Sequence, residues 1–207
     1  DKITQNEKLF ARIEAVYTSP DKAKLTPEQQ RLTWTYYTNF VRSGAKLDAA
    51  AKARVAAINE ELAGHYTKFS QNLLADEGTY IELSDADLVG LPDGLKANAA
   101  SSAAQRKLAG KFIIVNTRSS VDPYLTYSPV RGTREKVWKA FVNRGDNGGA
   151  TDNNAIISKI LKLRVERANL LGFKTHAHWR LENAMAKNPE NAMALMEAVW
   201  PAAIAQV

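Results

Sequence analysis

Along the first half of the chain, apolar residues recur at three- and four-residue steps, the spacing of one face of an α-helix. Leu9, Phe10, Ile13, Val16 and Tyr17 follow this rhythm until Ser19-Pro20-Asp21 breaks it. The next run is marked at both ends. Thr26 caps it, Pro27 takes the first helical position, Gln29 completes a capping box, and Gly44 stops it after Leu32, Tyr36, Phe40 and Val41. A third run, from a cap at Asp48 to about Asp76, is rich in good helix formers. It carries Val55, Ile58, Leu62, Tyr66, Phe69 and Leu73 on the same period. Its length is about 42 Å at about 1.5 Å per residue, which suits a wall or spine of an elongated helical protein.

The pattern then shortens. Tyr80-Ile81-Glu82-Leu83 reads as a brief extended piece, Ser84 opens a single capped turn, and Pro92-Asp93-Gly94 is a turn before a helix over about 95–107. Lys111 to Asn116 is the best strand, because Phe112, Ile113, Ile114 and Val115 are aromatic or β-branched. Tyr124 to Tyr127 alternates and ends at Ser128-Pro129, so these two segments are expected to pair as a hairpin with 117–123 as its loop. Thr133 is expected to cap a helix bearing Val137, Trp138, Phe141 and Val142. RGDNGGATDNN (Arg144 to Asn154) is a run of turn formers, and its part from Arg144 to Ala150 is expected to be comparatively mobile because it holds no apolar anchor. Helices over about 153–171, from Thr175 to about Met185, and from Asn188-Pro189 onward complete the chain. Ile157, Leu161, Ala168 and Leu171 form the expected buried stripe of the first of these. Trp34, Trp138, Trp179 and Trp200 all read as core. The fold class is therefore mainly α, an elongated helical bundle with one small β-hairpin. A subdivision into 1–110, helical, and 111–207, hairpin plus helices, is expected.

Composition narrows the classes. With 207 residues, 45% of them hydrophobic, the chain can build a real core. No apolar run approaches the roughly 20 residues of a membrane span. The absence of cysteine removes disulfides, thiolate metal sites and a cysteine nucleophile. The net charge of +6 is uneven: residues 1–103 hold 12 Lys and Arg against 14 Asp and Glu, residues 104–207 hold 16 against 8. The basic side chains Lys159, Lys162, Arg164 and Arg167 are spread at helical spacing without a nucleic-acid motif, so they read as a solvated face rather than a nucleic-acid surface. The chain stops inside an apolar run of Met193, Leu195, Met196, Val199, Trp200 and Ile204, which raises the expectation of a piece cut from a longer protein.

Candidate chemistry is sparse. Of the three histidines, His65 lies between Leu62 and Phe69 in the long helix, and His176 and His178 are two apart, a spacing that turns them to different helix faces. A helical zinc pair needs four, as in H-E-x-x-H. His178 and Glu182 have that step, but two ligands make no site. There is no G-x-S-x-G elbow, and the glycines of 145–149 lack the Gly-Lys-Ser/Thr ending of a phosphate loop. The remaining candidates are cleft residues: Tyr124 and Tyr127 as the lining of a peptide groove, and Arg144, Asp146 and Asn147 as the edge of a cleft. For the tyrosines, packing within their own hairpin explains the pair equally well.

The order of residues in the second half adds what spacing does not. The segment from Tyr124 to Ala203, notably the arginine-rich helix before Leu170-Leu171-Gly172-Phe173 and the stretch His176–Glu182, resembles bacterial peptidyl-dipeptidases of the thimet oligopeptidase family of zinc metallopeptidases. Leu25 to Asp48 fits the same family. The resemblance implies a bivalve-like helical peptidase with a deep channel, which releases C-terminal dipeptides from short peptides. It implies zinc held by an H-E-x-x-H helix and a downstream glutamate, whose helix glutamate activates the metal-bound water. That helix lies beyond the matching region, so no catalytic residue and no metal ligand is carried onto this chain. Zinc is expected in the parent and none in this segment. The segment is expected to be an inactive channel wall whose partners are short peptides and the missing catalytic remainder. No nucleic acid or membrane partner is expected, and the compartment is the bacterial cytoplasm or the periplasm. The alternative is a stand-alone, non-enzymatic helical module that binds peptides or proteins.

Overall fold

A computed structural model describes residues 2–206. In chain order the helices are α1 (Glu7–Thr18), α2 (Pro27–Arg42) and α3 (Ala49–Glu77). Strand β1 (Tyr80–Leu83), α4 (Asp85–Leu88), α5 (Asp93–Gln105) and β2 (Phe112–Val115) follow. The rest is α6 (Arg118–Tyr127), α7 (Arg131–Val142), α8 (Asn154–Leu170), α9 (His176–Leu181) and α10 (Pro189–Ile204). A 3-10 turn at Pro20–Lys24 links α1 to α2. The protein is mainly α, with a single two-stranded antiparallel sheet among the described residues. It divides into two compact units. One comprises residues up to Ala63 together with those from Ile160, and the other is Gly64–Lys159. This differs from a boundary at 110/111, because β1 and β2 lie on either side of that point and pair with each other.

In the first unit the local signals act as read. Thr26 accepts from Gln29 N, and the Gln29 side chain accepts from Thr26 N at 3.0 Å, so two orphan donors at the start of α2 are satisfied. Gly44 ends the helix at φ +94°, where a β-carbon would meet Leu47 Cδ1 at 2.9 Å. Phe10, Phe40 and Ala45 form a small core with Ile13, Tyr37 and Val41 against it. Val55, Ile58 and Leu62 of α3 are buried, as are Ile160, Leu163 and Ala168 of α8. Polar links join these two helices. Arg54 donates to both Glu166 oxygens at 2.6 and 2.7 Å, and Arg167 donates to Asn59 Oδ1 at 2.7 Å. Arg42 donates to the Glu182 carboxylate and to the Trp179 carbonyl, while the Trp179 indole N–H donates to the Arg42 carbonyl at 3.1 Å. These bonds fix α9 against the end of α2. On α10, Met193, Leu195, Met196, Val199, Trp200 and Ile204 are all exposed.

In the second unit β2 is antiparallel to β1, with Tyr80 opposite Val115 and Leu83 opposite Phe112. The expected partner, Tyr124 to Tyr127, is instead part of α6. Ile114 enters a core with Leu83, Leu91, Val121, Tyr124 and Val137, and Ile113 and Val115 enter another with Ala103. Successive side chains of a strand face opposite ways, so a strand buried on both faces reads as the unbroken apolar run seen at 112–115. Thr133 does not cap α7. That helix starts at Arg131, and the Thr133 hydroxyl donates to Asp87 Oδ1 at 2.5 Å. Asp87 Oδ2 accepts from Ser84 N and Oγ at 2.9 and 2.6 Å, closing the turn of α4. Burial pulls the Asp87 carboxyl upward, but the hydrogen bonds from Ser84 and Thr133 outweigh it and hold it below the usual carboxylate range. None of the four tryptophans is buried: Trp34 and Trp179 are half-buried, Trp138 is 51% exposed, and Trp200 is exposed on α10.

Candidate functional site

The polar loop after α7 is built around one carboxylate. Asp76, buried near the end of α3, accepts from Gly145 N at 2.7 Å and Asn147 Nδ2 at 2.9 Å on one oxygen, and from Thr151 Oγ1 at 2.5 Å on the other. Asn153, 1% exposed, takes the Asn72 amide on its Oδ1 at 2.9 Å and donates to the Phe69 carbonyl. Its backbone N–H donates to the Gly145 carbonyl at 2.8 Å. Gly145 sits at φ +71°, and a β-carbon there would lie 2.9 Å from Asn153 Nδ2 and 3.1 Å from Leu73 Cδ2, so only glycine fits. Asp152 accepts from Gly148 N and Asn154 N at 2.9 and 2.8 Å. These backbone donors, that of Asn154 first, hold its carboxyl below the usual range. A loop expected to be mobile for lack of an apolar anchor therefore has a polar one. Buried polar groups held by a full set of partners fix backbone as firmly as apolar contacts do.

The cleft candidates divide between two places. Arg144 donates to Glu77 Oε1 at 2.9 Å and to the Phe141 carbonyl at 3.1 Å, with its guanidinium 4.0 Å from the Phe141 ring centre. Asp146 accepts from Asn154 Nδ2 at 2.6 Å, and Asn147 spans Asp76 and Thr151. These three share the loop. Tyr124 and Tyr127 are on α6 and take no part in that network. Tyr124 is fully buried in the core, and burial pushes its phenol up. Tyr127, 57% exposed, lines a groove of about 600 Å³ formed by α5, β2 and α6. Sequence reading passed over both Asp76, which sits in a helical run, and Arg106 at the end of α5, which lines the same groove.

Among the described residues no three His, Cys, Asp or Glu side chains converge as a metal site. His178 Nδ1 is 2.8 Å from Thr175 Oγ1, and its Nε2 is 3.6 Å from Glu190. His176 Nδ1 is buried without a hydrogen-bond partner, and its ring lies 5.5 Å from that of Trp179. These residues do not fit zinc, and no reaction step passes through a metal here. Burial, reinforced by Arg164, Arg167 and Arg180, pushes His176 down to about 4. A histidine depressed when folded protonates first in the unfolded chain. Its stabilising effect is therefore complete above about pH 6.5 and is lost as the pH falls from there toward 4. We expect an NMR titration of the histidine ring protons to place His176 near 4. The melting temperature should fall across that window, and His176→Gln should flatten the fall. A midpoint near 6.5 for His176 would contradict the burial argument.

Among the described residues no helix is long and apolar enough to cross a membrane. Residues 124–207 match the model of peptidase family M3. The chain is 36% identical over 200 residues to the dipeptidyl carboxypeptidase of Escherichia coli K12, covering 96% of this chain and 29% of that enzyme. It is 33% identical to the dipeptidyl carboxypeptidase of Salmonella typhimurium, with the same coverage. It is 32% identical over 215 residues to organellar oligopeptidase A of Arabidopsis thaliana, covering 98% of this chain and 27% of that protein. The chain thus spans less than a third of the length of these curated relatives.

Proposed function

We propose, from the similarity to peptidase family M3 and to two dipeptidyl carboxypeptidases, that this chain is the helical, non-catalytic part of a zinc-dependent peptidyl-dipeptidase. The parent releases C-terminal dipeptides from short peptides in the bacterial cytoplasm or periplasm. This part forms a wall of the substrate channel and is inactive alone. The observation that carries the reading is identity of 36% sustained over 96% of the chain, against 29% of the relative's length. The exposed apolar side chains of α10 support it, since large apolar side chains clustered on one helix mark a surface that further polypeptide covers. Within this reading Tyr127, Arg144, Asp146 and Asn147 border the channel, and Tyr124 supports α6 from the core.

The test is an assay of the full-length protein on blocked tri- and tetrapeptides. Expected are release of intact C-terminal dipeptides, loss of turnover with a chelator and its return with zinc, and no turnover by the 207-residue chain. Release of single amino acids, or indifference to chelators, would refute the assignment. A reading frame that ends with this chain would favour the stand-alone binding module.

A further inference from the structure

Asn147 is followed by Gly148, and no other asparagine of the chain precedes a glycine. That pair has a reaction of its own. The backbone nitrogen of a glycine, with no β-carbon in the way, can reach the side-chain carbonyl carbon of the residue before it. A C–N bond forms there, the side-chain amide C–N bond breaks, and ammonia leaves with the proton of the glycine N–H. The cyclic imide that results takes up water, which opens either of its carbonyls to give aspartate or isoaspartate. Water is the co-reactant, and nothing is oxidised or reduced. Asn147 is exposed, so water reaches it.

In the folded loop each group in that reaction is held. The Gly148 N–H donates to Asp152 Oδ2 at 2.9 Å. Loss of its proton would set an amide anion against that carboxylate, which the like charge disfavours. The Asn147 side-chain oxygen accepts from Gly149 N at 2.9 Å. Its Nδ2, the leaving nitrogen, donates to Asp76 Oδ2 and to Thr151 Oγ1, each at 2.9 Å. Departure of that nitrogen as ammonia, and any turn of the side chain toward Gly148, breaks the bond to Asp76. The product undoes the same network. Aspartate at 147 has no N–H to offer, and it sets a second carboxylate against the buried Asp76 where the amide stood. Isoaspartate also lengthens the backbone of a loop pinned on both sides of residue 147, at Gly145 and at Thr151.

We propose that Asn147–Gly148 is a self-modifying site latched by Asp76 and Asp152. The closed loop keeps the amide intact, opening of the loop lets it cyclise, and the carboxylate that results stops the loop from closing on Asp76 again. The loop thus carries a one-way covalent switch with water as its reagent. The switch stands apart from the peptidase reading, since it uses this loop and Asp76 alone.

The experiment holds the full-length protein in mildly alkaline buffer and samples it over weeks. Trypsin cuts after Arg144 and Lys159, and tandem mass spectrometry of the peptide between them counts asparagine, aspartate and isoaspartate at 147. A synthetic peptide of residues 145–159 gives the rate without the fold. Asn147 should be lost at least about tenfold more slowly in the protein than in the peptide. Asp76→Ala and Asp152→Ala should each bring the protein to within about threefold of the peptide. Leu62→Ala, which destabilises the fold away from the loop, should stay slow. Asn147→Asp should melt lower than Asn147→Ala, because repulsion from Asp76 adds to the lost bonds. Equal rates in protein and peptide would overturn the proposal, as would a rate that Asp152→Ala leaves unchanged. A speed-up by Leu62→Ala equal to that of Asp76→Ala would do the same, and so would an Asn147→Asp protein as stable as Asn147→Ala. Asp152→Ala is the milder of the two latch variants and decides the point if Asp76→Ala does not fold.

Discussion

Asp76→Ala should lower the unfolding free energy by about 3–5 kcal/mol, more than any change confined to the loop it holds. Three donors converge on this carboxylate from one loop: Gly145 N, Asn147 Nδ2 and Thr151 Oγ1. Each donor left unmade in a buried setting costs about 1–3 kcal/mol. Water reaches the Asn147 and Thr151 ends of the network, which keeps the total below the sum of three full penalties. Asp76→Asn keeps the shape but turns an acceptor into a donor facing other donors, so it should lose about half as much. Urea unfolding of both variants, followed by circular dichroism, measures the effect. Asp146→Ala is the comparison, since among the described residues the Asp146 side chain bonds only the exposed Asn154 side chain and its loss should change stability by under about 0.5 kcal/mol. Equal losses for Asp76→Ala and Asp146→Ala would remove the anchoring role.

The same network marks where sequence reading stopped short. Several helix boundaries were legible because their signals are local. Thr26 with Gln29, Ser84 with Asp87, and Gly44 after α2 act within one turn of chain, and each stands where the pattern placed it, whereas Thr133 does not. The strand at 112–115 was legible from its β-branched run, but its partner was not. Pairing is a long-range choice, and the run at Tyr124–Tyr127 alternates just as a strand would. Pro123 and Ser128-Pro129 look like strand punctuation, yet Val121 and Tyr124, three apart, are the buried face of a helix. Asp76 was invisible as an anchor because a carboxylate at a helix end is normally solvated, and nothing local shows that a loop some 70 residues later closes over it. Among the cleft candidates, Tyr127 lines a groove and Tyr124 does not, and the sequence held the two together. It could not separate Tyr127 from Tyr124, which three positions of helix turn into the core.

Leu62→Ala should destabilise the protein by about 2–5 kcal/mol, while Leu161→Ala should change it by no more than about 0.5 kcal/mol. On sequence period alone the two leucines look alike, each on the apolar stripe of a long helix. In the structure Leu62 is 1% exposed and Leu161 is 54% exposed. The buried face of α8 runs through Ile160, Leu163 and Ala168, one position away from the stripe of Ile157 and Leu161. A shift of one residue rotates a helix face by about 100°, enough to exchange core for solvent. Two features mask the true face. Ala168 belongs to both stripes, and Arg167 and Glu166, which read as surface charges, are directed to Asn59 and Arg54 of α3. Leu62 has no such ambiguity, because Val55, Ile58 and Leu62 are consecutive three- and four-residue steps and all three are buried. Removing its side chain leaves a cavity that a rigid helix cannot collapse to fill, which adds to the lost transfer energy. Chemical denaturation of the two single variants and the pair decides the point. A loss of more than about 2 kcal/mol for Leu161→Ala would place that side chain in a packed interface and reverse the assignment of the α8 face.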